Sequence, residues 1–292
     1  MSLLKEENFR TRAITGAFFV GTIIACIYIH PFAFYALVFV IHLLCLKEFY
    51  DLTIEEGQRF FKFYALFILT MVASLNVLNY TAPNLIPTGW VSGFLDILIY
   101  FMLFLVLFTQ LYYESIKPFS NISFVFLSLF YISAPLVILL MLAFYIFDGY
   151  YPDLVMLLFL LVWANDTGAY LTGKLFGKTK LFERISPKKT WEGTIGGIIL
   201  CMLIAAPYGK FVLQLSPIVY GGLGLIIGVF STLGDLIESQ LKRSLNIKDS
   251  GNLLPGHGGF LDRFDGFLMA IPAAFFYLLL MKNLIGVDGV VR

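Results

Sequence analysis

The strongest chemical signal in this sequence lies between Ser231 and Asp265, where three carboxylates, Asp235, Asp262 and Asp265, bracket the basic residues Lys242, Arg243 and Lys248. Asp262 and Asp265 are three residues apart, a spacing that puts both on one face if a helix carries them. Two like charges on one face repel unless a cation lies between them. Mg²⁺ suits that place, because it takes oxygen ligands and keeps substrate phosphates in its shell. Asp235 adds a ligand from a neighbouring helix end. The plainer alternative is a set of solvated helix ends, with Asp262 paired to Arg263. Basic residues beside a metal suit a triphosphate, whose charge they share with the ion. Lys242 and Arg243 by themselves, however, are no more than the positive charge an inside loop carries.

Two further clusters are candidates. Pro255-Gly256-His257-Gly258-Gly259 is a glycine-rich loop in which backbone can approach a ligand closely and successive N–H groups can cradle phosphate. It is not a Walker A loop, since no GxxxxGK[ST] pattern occurs. His257 reads either as a phosphate donor or acid, or as a surface residue in a turn. Asn165-Asp166-Thr167-Gly168-Ala169-Tyr170 places a carboxylate inside an apolar run, where it needs a partner, a proton or an ion. Ser186-Pro187-Lys188-Lys189-Thr190-Trp191-Glu192-Gly193-Thr194-Ile195-Gly196-Gly197 joins hydroxyls, two lysines and small residues at the mouth of another apolar run. Its lysines can hold phosphate, or serve as inside-loop charge beside an aromatic anchor at Trp191.

These residues must be positioned by membrane helices. Of the 292 residues, 59% are hydrophobic and 13% charged, against about 25% charged in an average globular chain. The mean hydropathy is +0.86. Apolar runs near 13–29, 32–46, 63–80, 91–112, 122–146, 154–173, 193–213, 217–234 and 265–281 are of the length that crosses a bilayer. The expectation is an all-α polytopic integral membrane protein with about nine transmembrane helices. With the N-terminus cytoplasmic, alternating spans leave only Lys210, Lys282 and Arg292 of the 20 Lys and Arg on the outer side, as the positive-inside rule requires. One membrane domain, 1–292, is expected, with N-terminal helices over 1–150 and catalytic helices and cytoplasmic loops over 151–292. The first run reads as an uncleaved span. Cys26, Cys45 and Cys201 all lie in apolar runs and form no CxxC or Cys/His cluster, so structural zinc and a disulfide framework are not expected. A net charge of +1 gives no basic face for nucleic acid. Glu48, Asp51, Glu55 and Glu56, with Arg59 and Lys62, read as a solvated mixed-charge connection. His42 reads as a helix-packing residue, and Asp96 as the outer start of a span.

The run Ser239-Gln240-Leu241-Lys242-Arg243, then Lys248-Asp249, then Leu254-Pro255-Gly256-His257-Gly258-Gly259-Phe260-Leu261-Asp262-Arg263-Phe264-Asp265 resembles the signature of the phosphatidate cytidylyltransferase family. The segments at 166–170 and 186–193 resemble that family too, so the specific likeness covers roughly 160–266. The resemblance implies conversion of CTP and phosphatidic acid to CDP-diacylglycerol and pyrophosphate. It implies Mg²⁺ dependence, with K⁺ as a candidate second ion, a homodimer, and a place in the cell membrane with the active site facing the cytoplasm. Metal ligands would be Asp235 and Asp262 with Asp265 close by. The expected catalytic group is Asp235, Lys242, Arg243, Asp262 and Asp265. The expected substrate-binding group is Asp166, Ser186, Lys188, Lys189, Thr190, Ser239, Lys248, Asp249, His257, Gly258, Gly259 and Arg263. A transporter would need polar residues at both faces, and a CDP-alcohol phosphotransferase would need an Asp-Gly-x-x-Ala-Arg core. Neither occurs here. A CTP-dependent lipid kinase shares the need for metal, nucleotide and a lipid face.

Overall fold

The computed structural model describes residues 2–81, 97, 101, 103–112, 114–144, 149–213, 216–251 and 258–285, with side chains from residue 14 on, except 71–81 and 285. Asp96, His257 and much of the run at 91–112 lie outside the described residues. The helices are α1 (Ser2–Ile29), α2 (Pro31–Thr53), α3 (Arg59–Thr81), α4 (Leu103–Tyr112), α5 (Pro118–Phe144), α6 (Pro152–Phe176), α7 (Trp191–Phe211), α8 (Pro217–Ser244) and α9 (Asp265–Ile285). Four of them, α2, α5, α6 and α8, begin on a proline. There its missing N–H is lost to no one and its fixed φ suits a first turn.

Six helices among the described residues are long and apolar enough to cross a membrane: α2, α5, α6, α7, α8 and the 265–284 stretch of α9. This is an integral membrane protein. The backbone reason is simple. In lipid every N–H and C=O must be satisfied within the element, and a helix does that alone.

The chain divides into two compact units, one of Met1–Asp148 with Ser250–Leu261, the other of Gly149–Asp249 with Asp262–Arg292. In the first, α2 packs against α5 through paired polar groups in an apolar core. Tyr50 Oη and Ser128 Oγ are 2.8 Å apart, and His42 Nε2 lies 2.8 Å from Ser133 Oγ. Such bonds join helices where apolar surface alone gives little preference over lipid. Ser133 ends a π-helical stretch, Leu129–Ser133, within α5. At the end of α2, Asp51 pairs with Lys47 and Lys62 on the exposed side. Beyond it the Ser115 hydroxyl donates to Glu55 at 2.7 Å, which holds the Glu55 carboxyl below its ordinary range. The mixed-charge connection expected here is therefore only partly solvated. Glu48 departs from it entirely: it is 5% exposed, one turn inside α2.

In the second unit α7, α8 and α9 pack in sequence, and α6 packs on α7 and α8. A two-stranded antiparallel hairpin, β1 (Lys180–Phe182) and β2 (Ser186–Thr190), joins α6 to α7. It adds a small sheet to a fold expected to be all helix. Its closure is local. Trp191 N–H donates to Thr179 O at 3.0 Å, and the Glu192 carboxylate accepts from the amides of Lys178 and Thr179 at 3.1 Å. Thr190 caps α7 by accepting from Gly193 N–H at 3.2 Å.

Candidate active site

Small residues bring the site's helices together. A Cβ on Gly197 of α7 would stand 2.6 Å from Asn165 Oδ1, and one on Gly193 would stand 2.8 Å from Ala169 O, both on α6. On the other side, a Cβ on Gly234 of α8 would meet Asp265 O at 2.6 Å, and one on Gly266 would meet Ser231 Oγ at the same distance. The residues next to those glycines are Asp235 and Asp265. Backbone contact between α8 and α9 thus brings together the stretches that carry the two carboxylates.

A cavity of about 400 Å³ opens among α6, α7, α8 and the hairpin, within the range of about 300–1,000 Å³ usual for small-molecule sites. Asp166, Lys188, Lys189, Thr190 and Asp235 line it, with Tyr170, Lys174, Thr194 and Thr232. The structure therefore gathers residues from three separate parts of the sequence. Lys189 Nζ is 2.5 Å from Asp235 Oδ2. Ser239 Oγ, one turn further along α8, donates to Asp235 Oδ1 at 3.2 Å. Asp166 lies nearly three turns before the end of α6. It shares the lining of this cavity with Asp235 and Lys189.

A second cluster forms at the α8–α9 junction. Lys242 Nζ donates to Asp262 Oδ1 at 2.5 Å and also to Glu238 Oε2. The side chains of Lys242 and Asp262 are 12% and 11% exposed, and Glu238 is fully buried. Asp262 does not share a helix face with Asp265. It sits in a 3₁₀ turn, Leu261–Arg263, and α9 begins only at Asp265. Asp265 instead turns its Oδ1 to the amide of Gly266 at 2.7 Å, which satisfies one donor of the helix's first turn.

Not every expected residue reaches these clusters. Arg243 points away from Lys242, and its Nη1 donates to Ile247 O at 3.2 Å at the end of α8. Lys248 and Asp249 are exposed in the following loop and, like Ser186 at the start of β2, do not line the cavity. Gly258 takes φ +83°, a conformation open to glycine. The close approach at Gly259 is made by the protein's own Glu48 and Ser250. Thr194 lies in the hydroxyl-rich run at 186–197, whereas Glu238 and Thr232 were given no role of their own from the sequence. Thr232 and Glu238 each lie three residues from Asp235, so the helix spacing that linked the aspartates also pointed to them.

No three His, Cys, Asp or Glu side chains among the described residues converge as a ready-made metal site. The donor chemistry still fits magnesium, which needs only one or two carboxylates when phosphate and water complete its shell. Asp235 and Asp262 are the oxygen donors that now carry a lysine ammonium as counter-charge.

Fold and site together define a class: a helical membrane protein that gathers carboxylates and lysines around a small-molecule cavity at the ends of its helices. The family model described as the cytidylyltransferase family matches residues 10–281, and the chain belongs to that family. It is similar to the phosphatidate cytidylyltransferase of Bacillus subtilis (strain 168), 52% identical over 124 residues, or 41% of this chain and 45% of that protein. It is also similar to the phosphatidate cytidylyltransferase of Staphylococcus aureus (strain COL), 50% identical over 115 residues, 39% of this chain and 44% of that one. In each case the matched stretch spans a little under half of the relative's length.

Proposed function

We propose that this protein is a phosphatidate cytidylyltransferase, which makes CDP-diacylglycerol and pyrophosphate from CTP and phosphatidic acid. The observation that carries the reading is the convergence of Lys188, Lys189, Asp166 and Asp235 on one cavity beside the Lys242–Asp262 pair. A phosphate oxygen of phosphatidic acid attacks the α-phosphorus of CTP. The bond from that phosphorus to the oxygen bridging the β-phosphate breaks, and pyrophosphate leaves with the electron pair. Such a reaction asks the protein mainly for positioning and charge neutralisation. Lys188 and Lys189 hold the triphosphate or the lipid phosphate. Lys242, relieved of Asp262, offers its ammonium to the leaving pyrophosphate. Asp235 and Asp262, with Asp265 nearby, are the residues to hold Mg²⁺. When bound, the ion neutralises phosphate charge and stabilises the leaving group. K⁺ is a candidate second ion.

The acyl chains of the substrate stay in the bilayer, which is the reason for a membrane fold. About nine spans with the N-terminus and the polar cluster on the cytoplasmic face accord with the Lys and Arg distribution. The chain acts as one membrane domain and assembles as a homodimer.

Purified protein in detergent, given phosphatidic acid, Mg²⁺ and CTP, is expected to release pyrophosphate and form CDP-diacylglycerol, with ATP inert. Asp262→Asn is expected to lower turnover at least about a hundredfold, the usual effect of removing a preorganised charge from a polar reaction centre. Transfer of a single phosphate from CTP to a lipid alcohol, with no pyrophosphate, would replace this reading by a kinase.

A further inference from the structure

Glu48 is a carboxylate that the reaction above does not use, yet it is one of the best-satisfied side chains in the protein. It lies on α2 in the run Leu44-Cys45-Leu46-Lys47-Glu48-Phe49-Tyr50 and is 5% exposed. One oxygen, Oε1, accepts from the hydroxyl of Ser250, itself 3% exposed. The other, Oε2, accepts from the backbone N–H of Phe260 at 2.6 Å and of Leu261 at 3.2 Å. The space between is closed to any side chain: a Cβ on Gly259 would collide with Glu48 Oε1 and Ser250 Oγ and stand 2.7 Å from Gly251 N. The Phe260 ring is fixed from α1, edge to face with Phe19 at 6.2 Å between centroids. Ser250 and the amides of Phe260 and Leu261 are therefore tied to one side chain. The residue that follows its last anchored amide is Asp262.

A buried carboxylate is retained only where its lone pairs are met, and here three protein donors meet them. Backbone N–H groups are fixed by the chain itself, so bonding two consecutive amides sets the orientation of that peptide. We infer that Glu48 is a positioning residue: through Ser250 and the amides of Phe260 and Leu261 it fixes the peptide that immediately precedes Asp262 in the chain. The glycine at 259 is required by this anchor, since only glycine leaves room for it. The inference deepens the cytidylyltransferase reading and, for its effect on turnover, rests on it.

Hydrogen exchange on the full-length protein in detergent tests the anchor without reference to activity. Glu48→Ala is expected to speed exchange at the amides of Phe260 and Leu261 at least about tenfold, the loss expected for bonds to a charged acceptor. Glu48→Gln is expected to restore most of that protection. Its side-chain oxygen can accept from the same two amides while its NH₂ donates to the Ser250 hydroxyl. In the turnover assay, Glu48→Ala should lower kcat at least about tenfold with KM for CTP changed less than about threefold, and Glu48→Gln should recover kcat. If Glu48→Ala does not fold, Ser250→Ala removes one donor only and is expected to raise exchange at Phe260 and Leu261 by about threefold. Wild-type exchange rates at Phe260 and Leu261 in both variants would overturn the inference. So would a glutamine variant as impaired in kcat as the alanine variant. A wild type inactive on CTP and phosphatidic acid would sink the functional reading alone, and exchange would still decide the anchor.

Discussion

The carboxylates of Glu48 and Asp262 are both nearly out of reach of solvent, yet they are held in opposite ways. Glu48 is met by two backbone amides and a hydroxyl from its own unit. Asp262 is met by the ammonium of Lys242, as Asp235 is by that of Lys189. A backbone amide has no alternative position to take up. A lysine ends a flexible four-carbon stem and can turn to another anion. The difference separates scaffold from chemistry: a carboxylate fixed by the backbone holds shape, whereas one held by lysine can exchange its partner when phosphate or a cation arrives.

The largest expected way to break that comparison is Lys242→Met. It leaves Glu238 and Asp262 without their shared counter-charge, and removing one partner of a buried pair costs about 3–5 kcal/mol. Unfolding by denaturant in detergent measures it. A loss under about 1 kcal/mol would mean the lysine is as dispensable as a surface ion pair. Gly234→Ala sharpens the comparison by moving backbone rather than charge. Its Cβ would meet Asp265 O at 2.6 Å, so the helices must part at an expected cost of about 1–3 kcal/mol. The same unfolding assay reads it, together with a fall in turnover as Asp235 and Asp265 separate. The smallest effect marks the floor. Asp51→Ala removes the pairs to Lys47 and Lys62, in which Lys47 and Asp51 are 59% and 53% exposed, and is expected to change stability by less than about 1 kcal/mol, less still in high salt.

The membrane class was legible in the sequence because apolar length is a local property. So were the polar segments around Asp166, Lys189, Asp235 and Asp262, since carboxylates and lysines stand out against apolar runs. Their pairing was not legible. Lys242 and Arg243 are neighbours in sequence, but α8 turns one toward Asp262 and the other to its own helix end. Asp262 and Asp265 have helix spacing, but the helix starts at Asp265, so spacing misassigned them to one face. The hairpin at 180–190 was missed because two short strands, one with Pro187 just before two lysines, carry no alternating pattern. Glu48 was misread as solvated because its donors are 202 to 213 residues away. The clue was local all the same: a single carboxylate among Leu44, Cys45, Leu46, Phe49 and Tyr50.

That separation has a consequence for how the protein is made. Ribosomes add about 5–20 residues per second, so Ser250 follows Glu48 by about 10–40 s. Throughout that interval Glu48 is without the protein donors that meet it in the folded chain, and an unmet carboxylate costs free energy wherever water does not reach it. The anchor on α2 therefore closes only once Leu261 has been made. Residues made late thus complete the packing of a helix made early.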